Sequence, residues 1–132
     1  MGSAEVKRIQ DVNFLRSIQF AEDSGPTAHP VQPKTYMEIS NFYTVTIYEK
    51  GAEIVRMIQT LLGRELFRKG SDLYFSRYDG QAVTINEFIS TMAEVSGRDF
   101  KQFMLWYDRS GTPVIAVSGT YDQKKCSYSL TF

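Results

Sequence analysis

Two tyrosines five residues apart, Tyr43 and Tyr48, are the side chains of this sequence best placed to do chemistry. They sit in Asn41-Phe42-Tyr43-Thr44-Val45-Thr46-Ile47-Tyr48-Glu49-Lys50-Gly51-Ala52, where a β-branched and aromatic run rises to a tyrosine, makes a Glu-Lys-Gly turn and opens an amphipathic helix. At such a boundary a side chain projects into a cleft as readily as into a core. A tyrosine phenol, with a reference pKa of about 10, is a hydrogen-bond donor at neutral pH. Gly51, near the first helical turn, lacks the Cβ that keeps another surface away from the backbone. Residue chemistry alone favours a plainer reading: Tyr48 as a packed aromatic with its hydroxyl at the rim.

Other chemistry is poorly supplied. A catalytic zinc typically takes three protein ligands, and the chain has one histidine, His29, and one distant cysteine, Cys126. Ser-His or Cys-His catalysis would have to recruit His29 from a proline-rich loop, where a hydrogen-bonded loop histidine is the simpler reading. Asp79-Gly80 followed by Asn86-Glu87-Phe88 has the outline of a calcium loop, but the register places Phe75 and Arg77 where carboxylates belong and Asn86 where the bidentate glutamate belongs. The carboxylate pair Glu22-Asp23 reads as part of a solvated face. By its own residues the chain holds no complete active site and no metal-ligand set.

The elements that must position the tyrosines are mostly helices. Val6, Ile9, Val12, Leu15 and Ile18 recur at near-helical spacing and predict a helix over Ser3–Phe20, with Ser3 as N-cap and that stripe towards the core. It fails around Asp23-Ser24-Gly25-Pro26, and the prolines Pro26, Pro30 and Pro33 make residues 27–40 irregular. A second helix is expected over Tyr48–Leu62 with Gly63 as C-cap, and a third over Glu65–Asp79, the two packed as an αα-hairpin. Thr84-Ile85-Asn86-Glu87 is a capping box that opens a fourth helix ending at Gly97, and Asp99 caps a short fifth one stopped by Gly111-Thr112-Pro113. Beyond Pro113 the period changes, so that Val114–Val117 and Tyr128–Phe132 read as two strands joined around Gly119 to Lys125. The fold class is α+β, mainly α: a helical body over 1–112 and a β-hairpin over 113–132. A lone hairpin is marginal in water, so it belongs to a larger sheet. An ending inside a strand suggests an excised piece.

Composition bounds the rest. The 132 residues make at most one domain, and 42% hydrophobic content suffices for a core. Acidic and basic residues balance at 15 each, which leaves no basic footprint for nucleic acid. No apolar run approaches the roughly 20 residues that span a bilayer, and Met1-Gly2-Ser3 begins neither a secretion signal nor a myristoylation site. A single cysteine fits a reducing, cytoplasmic compartment.

An ordered series of motifs carries a family resemblance: Gln19-Phe20-Ala21-Glu22-Asp23, Ala28-His29-Pro30, Asn41-Phe42-Tyr43-Thr44, Tyr48-Glu49-Lys50-Gly51-Ala52, Asp79-Gly80, and Trp106-Tyr107 with Gly111-Thr112-Pro113. It resembles the aminopeptidase N family of zinc metallopeptidases, bacterial branch, over essentially the whole chain. The resemblance implies the C-terminal helical part of a thermolysin-like catalytic domain, followed by the start of a small β-sandwich domain. It implies a parent enzyme in which zinc-activated water attacks the scissile carbonyl of a peptide and releases its N-terminal residue. The family's His-Glu-x-x-His helix, its downstream glutamate ligand and its Gly-x-Met-Glu-Asn segment are missing from this sequence. The implied contribution of this piece is therefore Tyr48 as the catalytic tyrosine, with Tyr43 and Asn41 in the wall of the substrate pocket. The piece itself is expected to bind no zinc and to be inactive. Peptides and the remaining domains are the implied partners, and an uncovered interdomain face could pair in a homodimer. A stand-alone helical interaction module, with the tyrosines and the aromatic third helix as its groove, and a purely structural domain are the competing readings.

Overall fold

The computed structural model describes residues 2–132. The first helix, α1 (Ala4–Phe14), runs through a π-helical turn (Leu15–Gln19) into α2 (Phe20–Ser24). Ser3 caps it as expected, accepting the Val6 amide on its hydroxyl. The apolar stripe does not face the core: Val6, Ile9 and Ile18 are exposed, and α1 has no buried residue. The π turn is the physical reason on its C-terminal side. One extra residue per turn rotates the helix face by about 100°, and the positions turned inward are Gln19, its last residue, and Asp23 one turn later.

The core is built on α3 (Gly51–Tyr78), where Ile54, Ile58 and Leu62 repeat every four residues and are buried against Ile89 and Met92 of α4 (Ile85–Ser96). Val31, Phe100 and Tyr107 close the same cluster. Each such side chain taken fully out of water contributes about 1.5–3 kcal/mol. The expected second and third helices are joined directly. Gly63, at φ 78° and ψ 164°, is the only non-helical residue between them, so no hairpin loop of the usual two to five residues exists. A side chain at that φ is strained, which is why the break falls on a glycine. At Gly70 α3 packs tightly on α4: a Cβ there would lie 2.5 Å from Met92 Sδ and 3.3 Å from Val95 Cγ2.

The capping box of α4 is present: the Thr84 amide donates to Glu87 Oε2 at 2.7 Å, and the Asn86 amide to Thr84 Oγ1 at 3.2 Å. Gly97 ends the helix in the left-handed region. Asp99 accepts the Lys101 amide at 2.7 Å and starts the turns that lead into α5 (Leu105–Asp108).

The hairpin forms, but its first strand is displaced from Val114–Val117. β1 (Ser118–Asp122) pairs antiparallel with β2 (Ser127–Thr131), from Ser118 opposite Thr131 to Asp122 opposite Ser127. The turn sets this register. Asp122 Oδ1 accepts the amides of Lys124 and Lys125 at 2.9 and 3.2 Å, and Cys126 adopts φ 48°. With the reversal fixed there, only Phe132 remains to face residues 114–117. Apart from the half-buried Asp122, every residue of both strands is exposed. Amide exchange on dilute protein should accordingly be fastest, among the structured regions, in β1 and β2 and slowest around Ile54 and Ile58. Hairpin protection equal to that of α3 would show a stabilising contact that the fold does not contain.

Candidate functional site

Tyr48 stands in the middle of a second π-helical turn, Thr46–Lys50, which leads into α3. Helical geometry begins at Val45, earlier than the tyrosine itself. Thr44 starts it: its hydroxyl accepts the Ile47 amide at 3.2 Å and its carbonyl the Tyr48 amide at 3.1 Å. His29 braces that hydroxyl. Its Nδ1 lies 2.7 Å from the Thr27 carbonyl, which only accepts, so Nδ1 carries the proton and Nε2 takes the Thr44 hydroxyl proton at 2.7 Å. The lone histidine is thus a hydrogen-bonded loop residue.

The rings of Tyr43 and Tyr48 stack with centroids 6.2 Å apart and planes inclined by 26°. They are 66% and 58% exposed, so neither is a packed core aromatic. Asn41 is exposed in the neighbouring 3₁₀ turn, Ile39–Phe42, whose end is closed by a bond from the Tyr43 amide to the Ser40 carbonyl at 3.3 Å. Gly51 meets the surface its missing Cβ suggested: a methyl there would touch Val31 Cγ1 at 3.5 Å, an ordinary contact.

Beneath the exposed tyrosines lies a polar cluster that the carboxylate pattern misread. Glu22 and Asp23 do not form a solvated face. Glu22 Oε2 accepts both the amide and the hydroxyl of the fully buried Thr46, at 2.8 and 2.6 Å. Gln19 Nε2 donates to the same hydroxyl at 3.3 Å. Asp23, 5% exposed, takes the Lys50 ammonium on Oδ2 at 2.7 Å and the Gly111 amide on Oδ1 at 2.7 Å. Lys50 also donates to the Gly111 carbonyl at 3.0 Å. Burial works to raise the Asp23 pKa, but hydrogen bonds from Lys50, Gly111 and Gln19 outweigh it and hold the carboxyl below its ordinary range. The one signal in the sequence was the four-residue spacing of Gln19 and Asp23, which aligns two polar groups on one helix face.

Among the described residues no three His, Cys, Asp or Glu side chains converge as a metal-ligand set. None of the described helices is long and apolar enough to cross a membrane.

Comparison with known proteins decides the family. Residues 4–107 match the Peptidase family M1 domain. The chain belongs to peptidase family M1. It is 57% identical over 122 residues to aminopeptidase N of Caulobacter vibrioides, covering 92% of this chain and 14% of the relative. It is 49% identical over 131 residues to aminopeptidase N of Escherichia coli, covering 99% and 15%. Aminopeptidase A of Legionella pneumophila, crystallised with aspartic acid, superposes with a TM-score of 0.71 at 28% identity over 91% of this chain and 16% of that one. The chain therefore spans about one seventh of the length of the bacterial aminopeptidases N that it matches, and its mainly helical fold is one that a solved aminopeptidase contains.

The M1 match includes the whole polar cluster apart from Gly111, and the cluster makes the segment acid-sensitive in a defined sense. A carboxyl whose pKa is lowered by folding stabilises the fold above its unfolded value of about 3.9, and that contribution is lost as pH falls through the folded value. Asp23→Asn should remove it at neutral pH and leave Lys50 buried without its counter-charge, at a cost of about 3–5 kcal/mol. Thermal melts from pH 7 down to pH 2 check this: the unmodified chain should lose stability below about pH 4, whereas the Asp23→Asn change should lower the melting temperature most at pH 7 and flatten the acid limb. Equal melting temperatures at pH 7 would contradict the ion pair.

Proposed function

We propose that this segment serves a zinc-dependent aminopeptidase, in which Tyr48 stabilises the transition state and Tyr43 and Asn41 line the pocket for the N-terminal part of a peptide. The observation that carries the reading is the placement of Tyr48. Its backbone lies in a turn whose two ends are tied into buried polar groups, while its ring stands 58% exposed on an open surface. Tyr43 stacks alongside and restricts the ring.

Peptide hydrolysis passes through a tetrahedral intermediate whose carbonyl oxygen becomes an oxyanion. A phenol aimed at that oxygen donates a hydrogen bond that strengthens as the charge develops, so it lowers the barrier without tightening ground-state binding. Tyr43 and the exposed 3₁₀ turn bearing Asn41 offer an aromatic face and an amide beside it, suited to flank the peptide's first residue. M1 membership implies a metal in the parent enzyme, read as zinc held by other parts of that enzyme, and the roles of Tyr48, Tyr43 and Asn41 are ones that these side chains fill themselves.

The family match ends at residue 107 and the hairpin begins at Ser118, which supports a domain boundary near 112 between a catalytic helical part and a β-sandwich domain. The exposed Val6, Ile9, Phe14 and Ile18 suit a face covered by another part of the same enzyme or, in the isolated piece, by a second copy. A cytoplasmic enzyme is consistent with a lone, exposed, unpaired Cys126.

Steady-state kinetics on the full-length enzyme carrying this sequence test the assignment. Tyr48→Phe keeps the ring and its stacking, so kcat should fall by about 10²–10³ with little change in KM. Tyr43→Phe should have a milder effect. A Tyr48→Phe enzyme with near-normal kcat would remove Tyr48 from the mechanism.

A further inference from the structure

The π turn that bears Tyr48 is held at both ends by neighbouring carboxylates of one short helix. At its first residue, Thr46 is fully buried and takes three contacts: its amide and hydroxyl donate to Glu22 Oε2, and Gln19 Nε2 donates to its hydroxyl. At its last residue, Lys50 is buried and bound by Asp23 and by the Gly111 carbonyl. Tyr48 lies midway, pointing the other way, into solvent. A π turn is rare and occurs mostly as a single turn at an α-helix, often at a functional site. Packing does not require the threonine, because valine has nearly its shape and would suit a fully buried site. The hydroxyl instead joins Tyr48's turn to α2.

We infer that Thr46 is a positioning residue for Tyr48: its hydroxyl, clamped between Glu22 and Gln19, fixes the π turn and thereby the direction of the Tyr48 phenol. This rests on the reading of Tyr48 as a transition-state donor. Serine at position 46 keeps the clamp. Valine keeps the volume and breaks it, leaving Glu22 only the Thr46 amide of its two contacts. The turn is then free to relax towards α-helical winding, which rotates the phenol away from the point where the oxyanion forms. Small displacements of a catalytic donor are costly in rate, up to about 10²-fold for 1 Å.

The test is a double-mutant cycle in the full-length enzyme, with kcat, KM and melting temperature measured for each variant. Thr46→Val should lower kcat about tenfold and leave KM within about twofold. Thr46→Ser should restore turnover close to the unmodified value. In the Tyr48→Phe background, Thr46→Val should cost nothing further, since a residue that acts only through the phenol has no effect once the phenol is gone. A purely structural threonine gives the opposite pattern: a lowered melting temperature with kcat intact, or losses that multiply in the double variant. Either result overturns the inference. Should Thr46→Val not fold, Glu22→Gln carries the same comparison. It replaces a charged acceptor with a weaker neutral one, and its smaller loss of kcat should likewise vanish beside Tyr48→Phe. If Tyr48→Phe alone retains turnover, the reading of Tyr48 itself fails. If Tyr48→Phe loses turnover and Thr46→Val does not, only the positioning role fails.

Discussion

The ion pair between Lys50 and Asp23 is the constraint on which this arrangement depends. It joins three stretches of chain at one point: α2, the π turn leading into α3, and the loop after α5 at Gly111. Burying two charges is costly, and an apolar pair of equal volume often stabilises a fold as well or better. Stability alone therefore does not account for the pair. What it supplies is a fixed distance and direction, because an ammonium and a carboxylate that are each also bonded to Gly111 tolerate few alternative placements. Apolar side chains in the same place could slide.

That constraint sits at the head of the helix that organises the core. Ile54 follows Lys50 by one turn, and Ile54, Ile58 and Leu62 lock α3 against α4 and Phe100. Gly70 lets the far half of α3 approach α4 to contact distance. Glu53, near the start of α3, reaches Arg8 of α1 through a partly buried bidentate pair, closed on one side at 2.9 Å. The turn that carries Tyr48 is therefore tied to α1 and α2 on one side and to the helical core on the other. The ring of Tyr48 itself stays exposed.

How far the sequence foretold this depended on how local each cause is. The start and stop of α4 were legible because Thr84, Glu87 and Gly97 act within one turn of the residues they cap. The Ser3 cap and the Asp99 turn were legible for the same reason. The inward face of the first helix was not, since periodicity identifies a stripe without saying what covers it, and the π turn at Leu15–Gln19 leaves no mark in the residue pattern. The hairpin was legible and its register was not: the apolar run Val114–Val117 drew the strand too early, while the bonds of Asp122 decided where the chain reverses. The tyrosines stood out as a pair at a boundary. The cluster beneath them did not, because a carboxylate's partner 27 residues away cannot be read from its neighbours. Glu22 and Asp23 carry the same composition whether solvated or buried.

Two tyrosines show how placement separates support from chemistry. Tyr107 is 4% exposed, packs with Val31 and Phe100, and has its carbonyl bonded to the Gln32 amide at 3.0 Å. Burial pushes its phenol up to about 12, as expected where the charged form loses its hydration. Such a ring fills space in the core. Tyr48 belongs to the same residue type with the opposite design: a buried, charge-clamped backbone beneath and an open ring above. The difference lies in the polar residues two positions to either side, Thr46 and Lys50, which take over the burial that the tyrosine would otherwise provide. A side chain freed from holding up its own turn can be aimed at something outside the chain. In the role proposed for Tyr48, a phenol so placed would supply the hydrogen bond that a developing oxyanion needs.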